Sequence, residues 1–139
     1  WVCVEDTGRI INPLIVEGQV HGAIAQGIGG ALAEHLIYDE AGQLLTGSLM
    51  DYAVPTAAVM PVFETEHVEE RAANLAGVRG VGEGGTLGPA AVLANAVADA
   101  LAPVGVEPDE LPLSPARLWF ACELAARRRT GESATDARS

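Results

Sequence analysis

The sequence predicts an α+β fold of short mixed or antiparallel strands with two or three packed helices. Three observations carry that prediction. Residues 1–5 (WVCVE) and 62–69 (VFETEHVE) alternate apolar and polar side chains, the period of half-exposed strands. Residues 14–35, 89–102 and 114–128 carry helical patterning, with proline only at or before the first turn. Between them, residues 36–48 (LIYDEAGQLLTGS) set two short apolar runs on either side of an Asp-Glu-Ala-Gly turn, which reads as a β-hairpin.

The elements follow in order. After the first strand, DTGRIINP (6–13) is a turn and connection, and Pro13 stands where a helix can begin. The helix over 14–35 carries Gly18, Gly22, Gly29 and Gly30. Each interior glycine costs about 1 kcal/mol against alanine, so close approach of another backbone or a ligand must offset the loss. Glu17, Gln19, His21, Gln26 and Glu34 argue against a lipid-buried span. Pro55 and Pro61 break residues 49–61 into an irregular connection. The second helix begins at Pro89 and sets Leu93, Val97, Ala100 and Leu101 on one face, with Asn95 and Asp99 on the other. Residues 103–115 read as loop and short strand. Ser114 is the predicted N-cap of the last helix. Residues 1–126 are expected to form the folded segment, and the polar residues 127–139 a disordered tail.

Composition narrows the function. The chain has 139 residues and is 49% hydrophobic and 19% charged, enough for one domain burying roughly 68% of its unfolded surface. The formal net charge is −11, and all eight basic residues are arginines. Phosphate backbones would repel such a chain, so nucleic acid is not an expected partner. Arg127-Arg128-Arg129 is too small a basic cluster to change that. Cys3 and Cys122 form neither a disulfide framework nor a zinc motif and are expected to be buried and reduced, in keeping with a cytoplasmic setting. His21, His35 and His67 lack ligand spacing, so no metal ligand is assigned. The chain opens at Trp1 inside what reads as a strand, and is expected to be a piece of a longer polypeptide.

The chemistry is concentrated in GVRGVGEGGTLG (77–88), where Glu83 is the one carboxylate in a glycine run. The residues alone leave three readings open. Glycine amides before a helix N-terminus could cradle a phosphate. Gly80, Gly82 and Gly85 formally meet G-x-G-x-x-G, but no clear strand precedes and no βαβ unit follows, and Glu83 would repel a pyrophosphate. Alternatively, Glu83 is a positioned general base. No second acid stands nearby for glycosidase-type chemistry, so a lone base would take a proton from a cofactor-bound or metal-bound oxygen. The third reading is a solvated turn.

Four ordered stretches resemble one family: DTGRIINPLIVEGQVHGAIAQGIGGALAE (6–34), GSLMDYAVPTAAVMP (47–61), GVRGVGEGGTLGPAAVLANAVADAL (77–101) and SPARLW (114–119). They are similar to the strand end with Asn-Pro turn and Gly-Gln helix, the Asp-Tyr-x-x-Pro segment, the signature loop with its helix, and the closing motif of that family. It is the molybdopterin-binding large subunit of xanthine oxidase and aerobic carbon monoxide dehydrogenase type enzymes. The resemblance spans most of residues 2–122 and identifies the chain as the C-terminal part of such a subunit, within a larger cofactor-binding domain. It implies an oxidoreductase that hydroxylates its substrate at a pterin-bound molybdenum, with Glu83 as general base on the metal-bound hydroxyl. It implies a pterin contact at Gln19, backbone approach at Gly18 and Gly82, and a weaker candidate at Gln26. It implies a molybdenum-pterin cofactor (molybdopterin or its cytosine dinucleotide), with FAD and 2Fe-2S clusters on partner subunits. The partners would be the remainder of the large subunit and flavin and iron–sulfur subunits, assembled as a dimer of heterotrimers. The substrate class (purine, aldehyde, other heterocycle or carbon monoxide) is not specified by these motifs. NLAG (74–77) lacks a proline common in the family, and Arg79 stands where lysine is frequent. The competing expectation is a truncated module that packs or binds without activity of its own.

Overall fold

A computed structural model describes residues 1–130. Two strands, β1 (Val2–Asp6) and β2 (Glu64–Val68), pair in parallel, from Val2 opposite Glu64 to Asp6 opposite Val68. Parallel neighbours need a crossover, and helix α1 (Pro13–Leu32) with the following connection supplies it. Among the described residues, antiparallel pairing is confined to two isolated bridges, Gly8 with Val78 and Tyr38 with Leu44. The second belongs to the expected hairpin, a short one, whose arms are also joined by the Asp39 amide donating to the Gln43 carbonyl at 3.0 Å and the Leu45 amide to the Ile37 carbonyl at 2.8 Å. Its turn is as expected, with Gly42 at φ +81° and Asp39 accepting from the Ala41 and Gln43 amides.

α1 is the centre of the molecule. Asn12 caps it by accepting from the Ile15 amide, and Pro13 occupies the first turn. Val16, Val20, Ile24 and Ile28 recur every four residues and make one buried stripe. Trp1, Cys3 of β1, Phe63 beside β2, Met60, Val81 and Leu93 pack on it. The helix ends where the Ala33 and Glu34 amides both donate to the Gly29 carbonyl, slightly before the expected residue 35.

Helix α2 (Pro89–Leu101) lies on α1, and a Cβ on Gly27 would meet Pro89 Cγ at 2.7 Å. A 3-10 turn (Ala102–Val104) follows, and the short strand expected in 103–115 is absent among the described residues. Helix α3 (Pro115–Thr130) starts at Ser114, whose hydroxyl accepts from the Arg117 amide as predicted. It buries no residue fully and leaves Trp119 and Phe120 exposed. The boundary expected at 126/127 falls inside α3, and the expected tail over 131–139 lies outside the described residues. One stretch, Gly84–Val104, has the length and hydropathy of a membrane span, but it is broken into two 3-10 turns and α2 and carries Pro89 near its start.

The core of the described residues is built on one stripe of one helix, Val16 through Ile28. Cys3 and Cys122 are free but only half-buried. Burial first, then the Glu5 carboxylate, pushes the Cys3 thiol above its ordinary range.

Candidate functional site

The glycine segment is pinned at two points. Gly85 sits so close to α1 that a Cβ there would meet the Val20 carbonyl at 2.8 Å and the Ala23 Cβ at 3.1 Å. Thr86 donates its hydroxyl to the Ala23 carbonyl at 3.2 Å. On the other side, a Cβ on Gly84 would fall on the Glu5 carboxylate of β1. Further back, Gly77 (φ +68°) accepts from the Arg9 amide at 2.9 Å, and Arg79 pairs with Asp6 at 2.9 Å. The loop is therefore not slack. Gly84 and Gly85 lack side chains because backbone and carboxylate already occupy that space.

Glu83 stands just before these packed glycines and is exposed. The glycines on its N-terminal side behave oppositely: a Cβ at Gly80 or Gly82 would meet nothing within 4 Å. The same split runs through α1. Gly27 and Gly29 are packed against Pro89 and Pro55, whereas Gly18, Gly22 and Gly30 face open space. Ile15, Gly18, Gln19, Gly22, Gln26 and Gly30 form an exposed stripe at helical spacing, without one charge. An ordinary solvent-facing stripe carries charged side chains. The docked loop meets α1 at residues 20–24, the turn that follows Gln19. Glu83 on the loop and Gln19 on the helix are both exposed, with Gly82 and Gly18 as open backbone next to them in the chain.

The Asp-Tyr-x-x-Pro segment is brought elsewhere. Tyr52 donates to Glu34 at 2.6 Å, and Pro55 packs on Gly29, both roughly 15 Å or more along the α1 axis from Gln19. The Glu34 hydrogen bond raises the Tyr52 phenol above its usual range. That segment lines an apolar cavity of about 400 Å³ with Ile28, Val59 and Met60. A cavity of about 470 Å³ under α3 also lies away from Glu83.

Two neighbours of the site have no signal in the local sequence. Glu5 leans on the loop at Gly84, lines a groove of about 320 Å³ with Cys3, Gly88 and Pro89, and keeps a buried Oε2 without a partner. Glu17 gathers Thr65, His67 and His21 around its carboxylate. Strand alternation puts residues 65 and 67 on the inner face, but only the fold puts that face over Glu17.

Residues 1–61 match the molybdopterin cofactor-binding domain family. Over 116 residues, 83% of its length, the chain is 50% identical to the nicotine 6-hydroxylase large subunit of Paenarthrobacter nicotinovorans, of which it spans 14%. Over 120 residues, 86% of its length, it is 38% identical to the carbon monoxide dehydrogenase large chain of Hydrogenophaga pseudoflava, spanning 15% of that protein. Among solved structures, quinoline 2-oxidoreductase from Pseudomonas putida 86 superposes with a TM-score of 0.83 at 41% identity, over 88% of this chain and 16% of that one. The chain thus corresponds to about one-seventh of these relatives, and the fold described above is part of their larger cofactor-binding domain.

Proposed function

The chain belongs to the molybdopterin cofactor-binding large-subunit family of molybdenum hydroxylases, and we propose that it supplies the wall of the cofactor site that carries the general base, Glu83. The observation that supports this most is the split among the glycines. Those that bear on α1 and β1 fix the loop, while Gly80 and Gly82 leave the space beside Glu83 clear. A planar pterin fits the adjacent strip: Gly18 and Gly22 remove side chains, and the Gln19 amide offers both a donor and an acceptor to a heterocycle edge. Gln26, one or two turns on, extends the same uncharged stripe.

When bound, the molybdenum-pterin group supplies the centre that takes two electrons from the substrate. This chain's part is positional and protonic. Gln19 would hold the pterin, Gly18 and Gly82 would admit it to backbone distance, and the Glu83 carboxylate would take up a proton beside it. A proton-accepting carboxylate must be held without being crowded. The pins at Gly84, Gly85 and Thr86 meet the first need and the open glycines the second. The same reading places FAD and iron–sulfur clusters on partner subunits as electron acceptors, within a dimer of heterotrimers, in the cytoplasm.

The test is Glu83→Gln in the assembled enzyme. Turnover falls about 100-fold or more, while molybdenum content stays at the wild-type level. Unimpaired turnover would remove Glu83 from the mechanism.

A further inference from the structure

We infer that Glu17 is a positioning residue for the cofactor-facing strip, acting through the hydrogen bonds of its carboxylate to Thr65 and His67, which lock α1 onto β2. The inference rests on the reading of Gln19 given above.

Glu17 Oε1 accepts from the Thr65 hydroxyl at 2.7 Å and lies 3.0 Å from His21 Nε2. Its Oε2 lies 3.1 Å from His67 Nε2. The carboxylate can only accept, so a hydrogen bond from His67 requires the hydrogen on Nε2. Phe63 backs His21, with ring centroids 5.2 Å apart. His67 makes its hydrogen bond to Oε2, whereas His21 Nε2 stands near Oε1 without the geometry of a hydrogen bond, and no group among the described residues is arranged as a metal site.

The side chain of Glu17 is 42% exposed, so these contacts add little to stability. What they add is direction. The buried stripe Val16–Val20–Ile24–Ile28 holds α1 by apolar contact, which has no preferred angle, and the Thr86 hydrogen bond to the Ala23 carbonyl ties it to the loop. The Glu17 carboxylate joins the helix to two alternate residues of β2 and so restrains its rotation from the other partner. Gln19 is two residues further on and takes its orientation from that rotation. At a helix radius near 6 Å, a turn of 10° moves a side chain by about 1 Å, a displacement large enough to spoil an oriented contact.

The experiment is a double-mutant cycle in the assembled enzyme, reading molybdenum and pterin retained per subunit after dialysis, with melting temperature alongside. Glu17→Ala lowers retention about tenfold at a near-wild-type melting temperature. In a Gln19→Ala background the same change causes no further loss, because its effect passes through Gln19. Equal loss in both backgrounds, or no loss in the first, overturns the positioning role and leaves the Gln19 reading standing. Full retention by Gln19→Ala alone overturns both. Should Glu17→Ala fail to fold, Thr65→Val, which removes one hydrogen bond and no charge, is put through the same cycle and gives a smaller loss with the same dependence on Gln19.

Discussion

At the scale of single residues, two adjacent glycines of the signature loop differ in what they exclude. A methyl at Gly84 meets the end of the Glu5 side chain, which can swing away; a methyl at Gly85 meets the Val20 carbonyl, which cannot. Gly85→Ala therefore destabilises the loop by about 1–3 kcal/mol, visible as a lower melting temperature. Gly82→Ala, facing open space, leaves melting unchanged but reduces retained molybdenum if the cofactor approaches there. Glu17 makes a second prediction. The hydrogen bond from Thr65, then that from His67, holds its carboxyl below the usual glutamate range. A lowered folded-state value means the group contributes stability above the ordinary range, near pH 4.3, and loses it as pH falls through the lowered value. Hydrogen exchange of residues 64–68, corrected for intrinsic rates, should be faster in Glu17→Gln than in wild type at pH 7. That difference should shrink at pH 3. An equal difference at both would exclude the ionised carboxylate as the cause.

At the scale of elements, α1 does two jobs on opposite faces. One face carries the apolar stripe at four-residue spacing, legible in the sequence from Val16 through Ile28. The other carries Gly18, Gln19, Gly22, Gln26 and Gly30, where three exposed glycines forgo helix stability without a close contact among the described residues to offset the loss. Gly22→Ala should stabilise the cofactor-free protein by up to about 1 kcal/mol and lower cofactor retention. Thermal melting of the cofactor-free protein and metal analysis of the loaded one check the two arms, and a stabilised protein with full retention would mean that nothing approaches that face. Gly27→Ala should fail differently, by driving α2 off α1 at Pro89. The sequence marked all these glycines alike. Gly27 is packed by Pro89, far along the chain, and Gly29 by the distant Pro55 together with the nearby Glu34.

At the scale of the whole molecule, apolar surface is the dominant feature. Val2 and Val4 leave the outer face of the two-stranded sheet bare, and Ile11, Leu14, Leu49, Met50, Leu87, Trp119 and Phe120 are all exposed. Parallel sheets are stable when both faces are covered, and two strands alone are marginal. The relatives are about six times as long as this chain, long enough to supply the cover. Expressed by itself, the chain should bind a hydrophobic dye such as ANS and give a weak near-UV circular dichroism signal. A cooperative melt without dye binding would show that the α1 core suffices.

The sequence by itself determined the helices, the two strand segments, the helix start at Pro13, the cap at Ser114, the turn of the short hairpin, and the choice of Glu83 as the residue to examine, because period, capping and glycine content are local properties. It left the strand pairing open, because pairing is decided by which partner is free, and β1 takes β2 across the α1 crossover. The tertiary structure alone decided that the loop is pinned by Val20, Ala23 and Glu5, that Glu17 meets Thr65 and His67, and that the Asp-Tyr-x-x-Pro segment serves the far end of α1. Those contacts join residues far apart in the chain, and no local periodicity encodes them.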